Sequence, residues 1–337
     1  MLGLKRNTRQ AGRKLAVATA LLMGLAAPSM AMEPVQLTMA SFKVGSSWNV
    51  YAVTIGDILR KSLPKGSVID TPPLGGGHAN ALIVAAGKAD IALSHAMANR
   101  WARSGSVAYE KPQENLRALV GGLDVYYMTV VAAAKAGTGI REYFNEVNPD
   151  ARIGLNPRGS VATFGGELIL ALAGASEEEL SKRGGAYSYI PIPSTKSGFA
   201  DGSIQATPQI ITVGHPMITE ISQTNDVTVL APEPDILEGM MTQYGYGKAT
   251  LPANSFRGQP DDVVLPSTTS TIIVRDDMSD ELAYSITKAL VENKERLVAG
   301  HKSLADFVPE DAWKAENVKL PLHPGAEKYY RERGWLK

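Results

Sequence analysis

The sequence predicts an α/β protein of two lobes, each a mainly parallel sheet flanked by helices, with a cleft between them. Three observations predict it. Short apolar runs alternate with amphipathic helical stretches, an order that gives parallel strands joined by crossover helices. The theme of strand, polar-glycine loop and helix opens near Val35 and restarts near Ala151. The 337 residues suit two domains, and no low-complexity linker divides them.

The elements follow in order. "VQLTMAS" reads as a strand. "SSWNVYAVTIGDILRKSL" reads as a helix with Ser47 as N-cap, since Val50, Val53, Ile55, Ile58 and Leu59 fall near helical spacing. "SVIDTPP" is a second strand, stopped by Pro72 and Pro73. Three glycines then open a helix over Ala79–Ala86, with Gly87 as its C′ residue. "ADIALS" is a third strand. "LRALVGGLDVYYMTVVAAA" is either two strands or one long strand running between lobes. In the second half, "ARIGLNP" and "YSYIPIP" read as strands around a loop and helix, "RGSVATFGGELILALAG". "DVTVLAP" is a further strand, and residues 231–266, rich in Pro, Gly and Tyr, read as irregular. "STTSTIIVRDDM" is a late strand. "SDELAYSITKALVENKERLVAG" reads as one helix with Ser279 as N-cap.

The first 31 residues read as a separate segment. Lys5, Arg6, Arg9, Arg13 and Lys14 precede an apolar stretch from Leu15 to Ala27, and Ser29 and Ala31 stand at −3 and −1 of a cleavage site. This is the pattern of a secretory signal peptide, removed on export, and the absence of an Arg-Arg pair favours Sec over Tat. An uncleaved anchor is the alternative. Without these five basic residues the chain has 29 Lys+Arg against 34 Asp+Glu, a net charge of −5. That balance argues against a nucleic-acid partner. There is no cysteine, hence no disulfide, thiolate metal site, Cys nucleophile or lipid-modified N-terminal Cys. A soluble monomer in the periplasm, not a lipoprotein, is the expectation.

Three loops lead into helices, and a helix start offers unpaired N–H groups and a partly positive dipole end to an anion. They are Gly45-Ser46-Ser47-Trp48, Gly75-Gly76-Gly77-His78 and Arg158-Gly159-Ser160, with Asn49, Asn80 and Thr163 beside them. Glycine lets a ligand approach the backbone closely, although most glycines at such turns only shape the chain. All three loops follow strands, where open α/β sheets bind ligands. Ser94, closing "ADIALS", is a further candidate to line the cleft, and His215, before Pro216, either caps a strand or lines the cleft. His78 is either a donor to ligand or merely solvated. Arg158 is either a bidentate carboxylate clamp or a surface cation. No dinucleotide or P-loop fingerprint, His-pair metal motif or nucleophile elbow is present. No cofactor, metal or enzymatic activity is therefore expected.

The stretch "GGGHANALIVAAGKADIALSHAMANRWARSG" resembles the solute-binding subunits of TAXI-type TRAP transporters through Asn80, Gly87, Ala89, Asp90 and Ile91. Pro157, Gly159 and Ser160 resemble that family's Gly-x-Pro-Gly-Ser-Gly-Thr loop, with Val161 in place of a glycine and the threonine shifted to Thr163. Asp201, Gly202 and Ile204, "SDELAYSITKALVEN" and "LHPGAEKYYRERG" extend the likeness over nearly all of the exported chain. The resemblance implies a type II-like Venus-flytrap periplasmic binding protein fold. One lobe would comprise about residues 33–127 and 266–337, the other about 128–265. It further implies capture of an amino acid or organic acid carboxylate between the lobes and delivery to a cation-driven membrane permease. The resemblance implies that loop hydroxyls and backbone N–H groups hold the carboxylate, and the full candidate set is Ser46, Ser47, Trp48, Asn49, Gly76, Gly77, His78, Asn80, Ser94, Arg158, Gly159, Ser160, Thr163 and His215. "VGSSWNVYA" departs from the family's usual first loop in having Trp48 and no following Pro. Replacing Ser160 or Asn80 with Ala should weaken binding without unfolding the chain. A subunit of an ABC importer or sensor, or a periplasmic enzyme, is the competing reading.

Overall fold

The computed structural model describes residue 2 and residues 32–133 and 139–337; the export segment lies outside them apart from Leu2. Residues 32–337 form one compact unit. Among the described residues twelve strands build two sheets. They are β1 Gln36–Ala40, β2 Val68–Asp70, β3 Ile91–His95, β4 Leu116–Val120, β5 Tyr126–Ala133, β6 Arg152–Leu155, β7 Ala186–Tyr189, β8 Ala206–Ile211, β9 Val227–Val229, β10 Gly247–Leu251, β11 Val263–Thr268 and β12 Ser270–Arg275. The first sheet has the order β2-β1-β3-β12-β4, the second β10-β11-β5-β8-β6-β7, with β9 also paired to β5.

Both sheets are mixed, which corrects the expectation of mainly parallel ones. β1 runs parallel to β2 and β3, and β6 parallel to β7 and β8. β12 runs antiparallel to β3 and β4, and β5 antiparallel to β8, β9 and β11. The cause is the path of the chain. It leaves the first sheet along β4 and enters the second as β5, then returns along β11 into β12 with only Thr269 between. The outgoing and returning strands lie side by side in opposite senses, so each sheet acquires antiparallel pairs beside its parallel β-α-β part.

Local sequence accounts for the helices. Helix Ser47–Ser62 starts one residue after its cap, and the cap is Ser46 rather than Ser47: Ser46 Oγ accepts from Asn49 N at 3.2 Å. Its buried face is Trp48, Tyr51, Ala52, Ile55, Ile58 and Leu59, whereas Val50 and Val53 point outward. Helix Ala79–Ala85 ends at Gly87 with φ +69°. Residues 231–266 are not irregular but hold helix Pro234–Thr242 and the hairpin β10–β11. Pro234 sits at the start of that helix and Pro252 ahead of a turn, positions that tolerate proline, while Pro266 lies within β11 opposite Lys248. The segment from Ser279 is two helices, Asp280–Val291 and Lys294–Gly300, parted at Asn293. Helix Ala96–Ser104, absent from the sequence reading, follows β3 at once. No helix among the described residues is long and apolar enough to cross a membrane.

One apolar cluster is shared by the two sheets. Ala81, Met97 and Trp101 from the first region join Met128, Ile153, Val161 and Tyr246 from the second. Trp101 Nε1 also donates to Tyr244 O at 2.8 Å, and Arg100 donates to Thr242 O at 2.9 Å. Separate clusters fill the far face of each sheet.

Candidate functional site

The glycine loop between β2 and helix Ala79–Ala85 is built around Asn80. Gly75, Gly76 and Gly77 have φ of +70°, +107° and +54°, a region that strains any residue with a Cβ. Asn80 Oδ1 accepts from Gly76 N at 2.6 Å, and Asn80 Nδ2 donates to Ser41 O at 2.7 Å and Leu93 O at 2.8 Å. Both amide protons are thus engaged, one just past β1 and one within β3. Asn80 is a fully buried brace for the loop, and its side chain presents no free donor.

Across from this loop stands the start of helix Val161–Leu172. A Cβ placed on Gly77 would come within 2.8 Å of Val161 Cγ2, and one on Gly159 would lie 3.9 Å from His78 Cε1. The glycine loop of the first sheet therefore abuts the 157–161 turn of the second. His78 packs edge-on against Phe164, centroids 5.3 Å apart, and Tyr109 Oη donates to His78 O at 2.9 Å. His78 Nδ1 is buried without a hydrogen-bond partner among the described residues, and desolvation lowers the pKa of the ring against an opposing contact with the Gly159 backbone, so the ring is neutral at pH 7.

Ser160 caps that helix. Its Oγ accepts from Thr163 N at 3.1 Å and donates to Thr163 Oγ1 at 3.0 Å, and Thr163 Oγ1 donates to Asn156 O at 2.7 Å. Gly159, with φ +85°, lets the turn form. Arg158 has its guanidinium at the surface, held by neighbouring side chains. It is 65% exposed, stacks 3.6 Å from the Tyr189 ring centroid and pairs with Glu167 and Glu177.

The remaining candidates divide. Ser46, Ser47 and Asn49 form the half-buried first turn of helix Ser47–Ser62, after Gly45 with φ +83°. Trp48 turns away from them into the interior, where its Nε1 donates to Ser270 Oγ at 2.9 Å. Ser94 is fully buried at the end of β3 with its Oγ unpartnered. His215 heads helix Pro216–Thr224, and burial lowers its pKa. Its Nδ1 is also unpartnered.

Sequence reasoning missed the residues under the crossing strands. His95 is buried between Trp48 and Tyr126, with ring centroids 4.5 and 4.9 Å away, and desolvation holds its pKa down to about 3. Asp124 lies at the exit from the first sheet, buried, with its pKa pushed up to about 6 chiefly by desolvation. A signal for it was present: Asp124 is the one charged residue in the apolar run from Ala118 to Ala134.

This architecture, two mixed sheets flanked by helices and joined by paired crossing strands, is that of two-lobed periplasmic binding proteins. The chain belongs to the NMT1-like family, whose pattern matches residues 39–334. Among solved structures it is similar to the periplasmic binding protein BugD, at 13% identity over 90% of this chain and 95% of that one, with a TM-score of 0.52. It is similar to MatC of Rhodopseudomonas palustris, solved with bound malate, at 12% identity over 90% of this chain and all of that one, again with a TM-score of 0.52.

Proposed function

We propose that this chain is an extracytoplasmic solute-binding protein that closes on a small organic acid or amino acid carboxylate and hands it to a cation-driven TRAP-type permease. The observation that carries the reading is the meeting of the Gly75–His78 loop with the capped helix start at Gly159–Thr163. Each loop belongs to a different sheet, so a ligand held by both binds the closed arrangement better than an open one. That difference is what drives closure. The lobes in this reading are about residues 33–127 with 266–337, and about 128–265. The residues that would grip the ligand are the loop and helix-start groups around Ser46, Ser47, Asn49, Gly76, Gly77, His78, Gly159 and Ser160. Ser94 and His215 would line the cleft. Asn80, Thr163 and Trp48 would hold these groups in place. His78 is neutral and Arg158 is paired, so neutral donors and helix dipoles supply the attraction.

Capture of malate by MatC supports including hydroxy and dicarboxylic acids among the ligands tested. The basic-apolar N-terminal segment supports Sec export to the periplasm. The test is thermal unfolding of residues 32–337 against a panel of amino acids and organic acids. A ligand at a hundredfold excess over its Kd adds about 2.7 kcal/mol, or roughly 5 °C for a chain this long. A selective shift by one carboxylate is expected. No shift from any acid would overturn the reading.

A further inference from the structure

We propose that Asp124, Ser270 and Trp48 form a latch across the two crossing segments, and that it couples the Gly45–Ser47 loop to the angle between the sheets. The proposal rests on the two-lobed binding reading above and names a positioning device for its site. Asp124 lies on the outgoing crossing between β4 and β5, and Ser270 opens β12 just after the returning one. The carboxylate forks onto Ser270, where Oδ1 accepts from Ser270 N at 2.8 Å and Oδ2 from Ser270 Oγ at 3.0 Å, and Tyr51 also faces it. Leu123 N donates back to Ser270 O at 3.2 Å. Trp48 Nε1 completes the chain by donating to the same hydroxyl at 2.9 Å.

The polarity of this chain has one solution. An indole N–H only donates and a carboxylate only accepts, so the Ser270 proton must point to Asp124. The order indole, hydroxyl, carboxylate fixes the spacing and twist of the two crossings relative to helix Ser47–Ser62. Trp48 sits in the first turn of that helix, next to the candidate ligand loop. Its ring also leans on His95 at the end of β3, and His95 on Tyr126 at the start of β5. A shift of the loop therefore moves the indole, and the indole is tied to both crossings.

Packing alone does not account for the carboxylate. A buried charge is costly, and apolar replacements of buried ionic groups often stabilise a fold. Desolvation opposes the charged form of Asp124 here, as the raised pKa records. A position that carries such a cost while holding one geometry fits a device for conformational specificity.

The chain has no cysteine, so paired spin labels at Lys65→Cys and Lys182→Cys, both exposed, report the separation of the sheets without background. The wild type, Trp48→Phe, Ser270→Ala and Ser270→Thr are compared without ligand, and cooperative unfolding is checked for each. Trp48→Phe keeps the ring but lacks the N–H, and Ser270→Thr keeps the hydroxyl. The latch predicts one narrow distance for wild type and Ser270→Thr, and a broadened distribution for Trp48→Phe and Ser270→Ala. It also predicts about tenfold faster release of a bound carboxylate in the last two, the scale of one lost hydrogen bond to a charged network. Narrow distributions in all four would overturn the latch. A broadened Ser270→Ala with a wild-type Trp48→Phe would overturn the coupling to the loop. The distance arm needs no ligand, so it decides the latch even if the wild type binds no carboxylate.

Discussion

At the residue scale, Asn80 and Asp124 carry the sharpest consequences. Asn80 makes three buried hydrogen bonds to backbone groups of the glycine loop, β1 and β3. Asn80→Ala leaves Gly76 N and two carbonyls without these partners, and each unmade buried bond costs about 1–3 kcal/mol. We therefore expect a loss of about 3 kcal/mol in urea denaturation together with weaker binding. This replaces the expectation that the substitution spares stability. Asp124 acts through protons. Its pKa is 3.8 as a free group and about 6 when folded, so between those values the folded chain keeps a proton the unfolded chain has released. The contribution of this group to stability falls as pH rises through that window and stays low above it. The groups facing Asp124 are Tyr51, Ser270 and Asp306, while Asp124 in turn raises Tyr126. Burial raises Tyr51 and Tyr126 further above their ordinary range, so neither tyrosine titrates in this window. Relative to wild type, Asp124→Asn should gain about 3 kcal/mol as pH is raised from 4 to 7, read as the difference between two denaturation series. A difference that stays flat would contradict the assignment.

At the element scale, the helix starts decide both fold and site. Ser160 is the N-cap of helix Val161–Leu172 and part of the turn that meets the glycine loop. Ser160→Ala should cost about 1 kcal/mol of stability, the usual value of a cap, and should weaken carboxylate binding as well. Ser279→Ala removes a comparable cap, from helix Asp280–Val291, on the far side of the first sheet. It should cost about as much stability and leave binding unchanged. Equal binding by both variants would remove the 157–161 turn from the site. These starts were legible in the sequence, because Ser, Gly and an apolar periodicity mark a cap locally. Partner strands were not. Nothing near β12 states that it inserts antiparallel between β3 and β4, since that depends on where the chain returns from the second sheet. Val50 and Val53 were misread for a related reason. Helical spacing gives a stripe, but tertiary packing chose Trp48 and Tyr51 over the valines beside them.

At the scale of the whole molecule, two loops brought together from distant parts of the chain define the candidate site. The sequence contained both loops and the order of elements that makes two α/β lobes. The apposition of Gly77 and Val161 is a long-range fact that no local pattern carries. Likewise the pairing of Arg158 with Glu167 and Glu177 depends on how helix Val161–Leu172 and the Glu177–Lys182 helix pack. Arg158→Ala should accordingly leave carboxylate affinity within about twofold of wild type, since exposed ion pairs contribute little.

The most direct test of the central claim is calorimetric titration of residues 32–337 with the carboxylate selected by the thermal panel and, in parallel, with its uncharged amide. Neutral donors and helix starts aimed at an anion predict that the acid binds and that the amide binds at least a hundredfold more weakly, about 2.7 kcal/mol. Equal affinity for acid and amide, or no heat from either, would contradict an anion site between the two loops.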